Sequence, residues 1–280
     1  MSIKKMSTAI QYIAMGKYDY RNFSKELQDD PEIVRLAALK GPGSFEAMTE
    51  KMRRHLTKEL CLNAVRGGVR LCHIPEEFRT ADMCEESIVV NGTNICHVPG
   101  TVITAKMCSD AAKNGAYLSN IPYEYRTEEI CLETIKRNKG YEMRHVPKEL
   151  LTEDFCLRIV ETGKCLPLNF PKDRLTQAVC IRMMEINGMH LVYLPAKKKT
   201  KAVCEAAVRQ NGLAIRNVPL PRLTSCLIVM AVENTAEAVK YISPEKLTEK
   251  FLIRLVTANR SCLKWVPKDR ITERVILAAA

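Results

Sequence analysis

A threonine recurs along this chain at Thr57, Thr80, Thr104, Thr127, Thr152, Thr176, Thr200, Thr224, Thr248 and Thr272. The intervals are 23, 24, 23 and 25 residues, then 24 five times over. A period in this range marks a repeat architecture, in which one repeat cannot bury its apolar face alone and stacks on its neighbours. Nine full repeats and the opening of a tenth occupy residues 57–280.

The register shows what each repeat is made of. Four residues after the threonine stand Cys61, Cys84, Cys108, Cys131, Cys156, Cys180 and Cys204, then Ile228, Leu252 and Ile276. A position that accepts Cys, Ile or Leu is a small buried apolar slot, because a free cysteine behaves as a small hydrophobe. Positions three, seven and eight are mostly apolar too, as at Phe155, Ile159 and Val160. That spacing makes one face of an amphipathic helix. The threonine sits where an N-cap hydroxyl accepts from an early N–H, and acidic residues follow in "TEEI", "TEDF" and "TEKF", where they complement the helix dipole. About eleven residues on, "VNG" (90–92), "KNG" (113–115), "ING" (186–188) and "QNG" (210–212) predict a left-handed C-terminal cap.

The second half of the repeat carries apolar pairs three apart, such as Leu71 and Ile74 or Ile215 and Val218, which fit a short helix. A proline follows at Pro75, Pro99, Pro122, Pro147, Pro171, Pro195, Pro219, Pro244 and Pro267. Proline disfavours helix in the residue before it and turns the chain back. The reading is all-α: an α-solenoid of nine to ten repeats of about 24 residues, each a long helix, a glycine turn, a short helix and a proline-led return. Residues 57–280 are read as one continuous elongated domain, and 1–56 as a divergent helical cap. In the cap, "STAIQYIAMG" (7–16) predicts a helix, and 29–43 a degenerate repeat with Asp30 as cap, Pro31 at the first turn and Gly41 as terminator.

The pattern T-x-E-x-C-x-x-A-V-x-x-N-G followed by L-x-x-V-P-x-x-L resembles a family of short all-helical tandem repeats of uncharacterised function in bacterial and viral proteins. The resemblance spans residues 57–280, implies the helical fold and carries no catalytic residues. A leucine-rich repeat has a similar length, but segments such as "CEAAVRQNG" replace its Leu-x-Leu core with helix-favouring alanine.

"LCHIPEEFRTADMCEESIVVNGTNICHVP" (71–99) offers five soft ligands. Cys84 belongs to the helix column, and Cys72 and Cys96 fall in a column that elsewhere holds Ser119, Arg144, Leu168 and Val192. No Cys-x₂₋₄-Cys pair exists, so the expected metal and cofactor content is none; only stacking of Cys72-His73 on Cys96-His97 offers a zinc alternative. Column cysteines on helices packed about 8–10 Å apart exceed the disulfide reach of about 7 Å. Twelve cysteines without such a framework imply a reducing, cytoplasmic setting, which includes the cytoplasm of a host cell. Gln11, Lys17 and Asp19 interrupt any signal-peptide core, and no run approaches the roughly 18 apolar residues of a membrane span.

Two residues before each proline, and three before Pro244, runs a column of flat or polar side chains: His73, His97, Asn120, His145, Asn169, Tyr193, Asn217, Tyr241 and Trp265. Each bonds a neighbouring turn if the column is structural. If it is a binding stripe, it presents one flat side chain per repeat to single-stranded nucleic acid, with Arg144, Arg216, Lys240 and Lys264 beside it for phosphates. A net charge of +11 favours an acidic partner. No nucleophile elbow, phosphate loop, zinc-protease motif or dinucleotide fingerprint occurs, so no enzyme is expected and no catalytic residue is assigned. The expected function is a non-catalytic module gripping a protein with an acidic surface, by analogy with a phage or effector protein that sequesters a host factor. The alternative is an RNA- or single-stranded-DNA-binding repeat protein.

Overall fold

The structure, a computed structural model, describes residues 3–138 and 140–280. It divides into two compact units, Met1–Asn138 and Lys139–Ala280. All regular elements among the described residues are helical; the one extended pairing is an isolated bridge between Ile3 and Phe23. No helix there is long and apolar enough to cross a membrane.

The N-terminal unit holds α1 (Met6–Ala14), α2 (Lys25–Gln28), α3 (Pro31–Leu39), α4 (Pro42–Glu46), α5 (Glu50–Arg53), α6 (Lys58–Arg66), α7 (Ala81–Val90), α8 (Ala105–Lys113) and α9 (Glu128–Arg137). The C-terminal unit holds α10 (Glu153–Glu161), α11 (Gln177–Ile186), α12 (Lys201–Gln210), α13 (Ser225–Asn234), α14 (Glu249–Ala258) and α15 (Glu273–Ala279). Within each unit successive long helices pack on one another: α6 to α9 in order, and α10 to α15 in order. The predicted cap helices extend the first series, since α1 packs on α3 and α3 on α6. Asp30 caps α3 by accepting from the Glu32 and Ile33 N–H groups, as the sequence implied. Gly41, expected to terminate α3, instead precedes α4 as its N-cap.

Nine of the ten register threonines cap their helix, each hydroxyl accepting from the N–H three residues on. Thr80 is the exception: its Oγ1 is buried and has no partner. All seven column cysteines are buried. Three close a weak bond to the carbonyl five residues back, Cys84 to Arg79, Cys131 to Arg126 and Cys204 to Lys199. Buried beside them, residues such as Phe155, Ile159 and Val179 each contribute about 1.5–3 kcal/mol of burial.

The turns correct the sequence reading. Only Gly115 of the four Asn-Gly turns is left-handed, at φ 91°. In the other three, Asn91, Asn187 and Asn211 are extended, with φ near −150°, and their side chains accept from the N–H two residues on. The glycine then opens a six-residue 3₁₀ helix: Gly92–His97, Gly188–Tyr193 and Gly212–Asn217. Glycine is required there by the next repeat. A Cβ would stand 2.2 Å from the Ala111 carbonyl oxygen at Gly92, 2.1 Å from that of Ala207 at Gly188, and 2.2 Å from that of Ala231 at Gly212. The Gly188 N–H donates to Gln210 Oε1 at 2.8 Å and the Gly212 N–H to Asn234 Oδ1 at 2.7 Å, which ties each turn to the following helix.

The short helices are 3₁₀ rather than α, and most proline-led returns are themselves one-turn 3₁₀ helices, for example Glu76–Phe78, Ala196–Lys198 and Lys268–Arg270. Basic side chains just before a threonine fasten these pieces. Arg79 donates to the Ile74 carbonyl at 2.9 Å and to the His97 carbonyl of the next repeat at 3.4 Å. Lys199 reaches the Asn217 carbonyl at 3.2 Å.

Candidate binding face

The column of flat and polar side chains lies at the ends of the first 3₁₀ helix of each repeat, half-buried or exposed throughout. Its early members are engaged inside the protein. His73 Nε2 lies 3.0 Å from Glu46 Oε1, with Arg70 3.4 Å away on the same nitrogen. His97 loses solvent on folding, and Arg79, Arg70 and His73 add like charge, so its imidazole is held below the usual histidine range. Asn120 accepts from Ser119 at 3.4 Å. His145 Nε2 accepts from Arg144 Nε at 3.0 Å, so Arg144 is tied to its own neighbour. Asn169 turns back to accept the Leu166 N–H at 2.9 Å, closing its own turn.

The later members differ. Tyr193, Tyr241 and Trp265 are 46%, 40% and 39% exposed. Asn217, between the two tyrosines in register, keeps a buried Nδ2 without a partner. Lys240 places its ammonium 3.7 Å from the Trp265 ring centroid while bonding Glu237 at 2.9 Å. The lysine of one repeat therefore meets the ring of the next, a cation–π contact. Arg216 and Lys264 occupy the same register position as Lys240, are exposed and make no ion pair among the described residues.

A second basic column escaped the sequence reading. Two residues before the threonine, the last five complete repeats carry Arg174, Lys198, Arg222, Lys246 and Arg270. The first four carry Phe78, Val102, Tyr125 and Leu150. The same threonine register exposes this switch once that position is read down the array. Four of the five basic members close a proline-led 3₁₀ turn, and Arg174 closes the turn after Pro171. Lys246 donates to the Leu223 carbonyl at 3.1 Å, beside Arg222, so consecutive members are neighbours. Arg174 and Arg270 pair with the adjacent Asp173 and Asp269, both at 3.4 Å.

Charge follows the same division. Residues 1–138 hold 19 Lys and Arg against 18 Asp and Glu; residues 139–280 hold 24 against 14. Exposed carboxylates answer the basic residues of the N-terminal unit across repeats, as in Arg66 with Glu86 and Lys106 with Glu85.

The thiols offer no reactive centre in the core. Burial pushes Cys61, Cys84 and Cys108 up to about 11 and Cys131 and Cys165 up to about 12. Cys96 is exposed, yet its Sγ–H bonds the Thr93 carbonyl at 3.1 Å. Among the described residues no three His, Cys, Asp or Glu side chains gather as a metal site, and Cys72, His73, Cys96 and His97 form none. An apolar groove between α1 and α3 is lined by Ile10, Ile13, Ala14, Leu36, Leu39 and Lys40. Compared with family models, curated proteins and solved structures, the chain matches none.

Proposed function

We propose that this chain is a non-catalytic binding module whose C-terminal unit grips an acidic macromolecule. The charge partition carries this reading: an excess of ten basic residues lies within 139–280, against one in 1–138. Cations concentrated on one unit attract a polyanion and raise its rate of capture. The exposed Arg216, Arg222 and Lys264 and the half-buried Lys198 lack intramolecular carboxylates among the described residues, so binding there requires no ion pair to break. In this reading the repeats of each unit stack as an α-solenoid, and the regular rows of side chains follow from that stacking.

Retention of the whole chain on a heparin matrix tests the proposal. Replacing Arg174, Lys198, Arg222 and Arg270 with glutamine is expected to lower the eluting salt clearly. Replacing the exposed Arg54, Lys58, Lys106 and Lys113 of the N-terminal unit should leave it nearly unchanged. Equal losses from the two sets would end the assignment to the C-terminal unit.

A further inference from the structure

The cations alone fit any polyanion, but they do not account for the rings that accompany them. Tyr193, Tyr241 and Trp265 are large side chains that keep about two-fifths of their surface in water, and each occupies the same position of its repeat. Exposed aromatic area at regular intervals is costly to leave in water without a partner that covers it. The rows of cations run with these rings. Lys240 touches the Trp265 ring from the preceding repeat. On the other row, Lys199 bonds the Asn217 carbonyl, which brings the turn ending at Lys198 against the ring column. Lys246 links that row onward to Arg222.

We infer that the C-terminal unit binds a single-stranded nucleic acid, with bases stacked on Tyr193, Tyr241 and Trp265 and phosphates on the row from Arg174 to Arg270. This rests on the acidic-partner reading and narrows it to one polymer. A single strand is the polyanion that uses both features: it carries a phosphate and an unpaired flat base in every residue, and a base stacks on an aromatic ring whatever its identity. A duplex hides its base faces. An acidic protein surface pairs with the cations and leaves the rings uncovered. Helical repeats that read one base per repeat show that the spacing of such a stack suits a splayed strand. The N-terminal unit lacks the device. Its register positions hold Phe78, Val102 and Tyr125 in place of cations, and His73 is already paired with Glu46.

Trp265 is the only tryptophan of the chain, so its fluorescence reports on the column directly. The whole protein is titrated with a twelve-residue oligo(U), with oligo(dT) of that length, with a duplex of that length and with polyglutamate, at about 50 and 300 mM salt. The oligonucleotides are expected to quench Trp265 and to bind more tightly than duplex or polyglutamate. Tyr193→Ala with Tyr241→Ala should weaken the oligonucleotides by about 30-fold or more, since each stacked base is worth about a factor of ten, and should leave polyglutamate unchanged. Tyr193→Phe with Tyr241→Phe keeps the rings and should restore binding. Lys198→Gln, Arg222→Gln and Lys246→Gln together should cut the slope of log affinity against log salt by about 2, at about 0.7 per phosphate contact. Melting curves of each variant confirm that it is folded before binding is compared.

Polyglutamate binding as tight as the oligonucleotides, with the tyrosine variants indistinguishable from the parent, would overturn the single-strand inference and leave an acidic protein as the partner. Duplex binding at least as tight as the single strand would overturn the stacking. No binding of any probe at 50 mM salt would overturn both this inference and the reading beneath it.

Discussion

At the position two residues before the repeat threonine, the N-terminal unit carries Phe78, Val102 and Tyr125, and the C-terminal unit, after Leu150, carries five basic residues in succession. At the position four residues after it, both units carry buried cysteine, from Cys61 to Cys131 in one and from Cys156 to Cys204 in the other. The core register stays apolar and buried across both units, passing from cysteine to Ile228 and Leu252, while the surface register switches. The comparison separates two requirements on the same repeat. Positions that pack against a neighbouring helix are fixed by volume and tolerate little. Positions on the turns are free to vary, and nothing in the packing demands their change in charge.

Disturbing the shared core should therefore strike both units, and the largest effect is expected from alkali. Burial keeps the thiols of Cys61, Cys84, Cys108 and Cys262 protonated in the fold up to about 11 and those of Cys131 and Cys165 up to about 12, and it raises Cys180 and Cys204 in the same direction, whereas the unfolded chain releases those protons near 9.0. With the folded values raised, stability is complete below about pH 9 and drains away as pH rises through the window toward 11. Thermal melts at pH 8, 9 and 10 should show a steep fall in Tm. Hydrogen exchange should find it in α7 and α8 as well as in α11 and α12. Protection lost in one unit alone would mean that the cysteine columns are not equivalent.

Next in size are the glycines that touch the following helix. Gly92→Ala in the N-terminal unit and Gly212→Ala in the C-terminal unit should each cost about 3 kcal/mol, because the methyl group meets a backbone carbonyl that cannot rotate away. Gly163→Ala, at φ 67° with open space around it, should cost only about 1–2 kcal/mol of backbone strain. Urea melts of the three variants give the order.

A smaller contrast concerns the caps. Thr176→Ala removes an N-cap and a bond to Glu153, and should cost about 1 kcal/mol. Thr80→Ala removes a buried hydroxyl that bonds nothing and should be neutral or stabilising. The smallest effect belongs to the exposed charges. Glu86→Gln breaks the pair with Arg66 and should lower Tm only slightly, with the difference fading in high salt.

Much of this was legible in the threonine beat, because caps, amphipathic spacing and buried cysteine are decided within one helix. The Asn-Gly turns were misjudged because the atom that excludes a side chain at Gly92 belongs to Ala111, nineteen residues on. A local rule about left-handed glycine cannot see that contact, and it holds only where no such neighbour intrudes, as at Gly115. The flat column was found as a column but not as two populations. Whether a ring faces solvent depends on what stands beside it, such as Glu46 for His73 or Lys240 for Trp265. The basic row needed no structure at all, only the same register read at one more position.

The contact between Gly92 and Ala111 recurs between Gly188 and Ala207 and between Gly212 and Ala231. In each case the glycine and the alanine that demands it lie on opposite sides of a boundary between repeats. The heritable module is thus the junction, not the repeat. A copying event that inserts or excises 24 residues anywhere between Gly188 and Ala231 rejoins a glycine to an alanine and leaves a sound seam. An event whose length is not a multiple of 24 shifts that register and sets a side chain against a carbonyl. A chain built this way changes length in whole steps, and the seams account for a count that holds at 24 from Thr152 to Thr272.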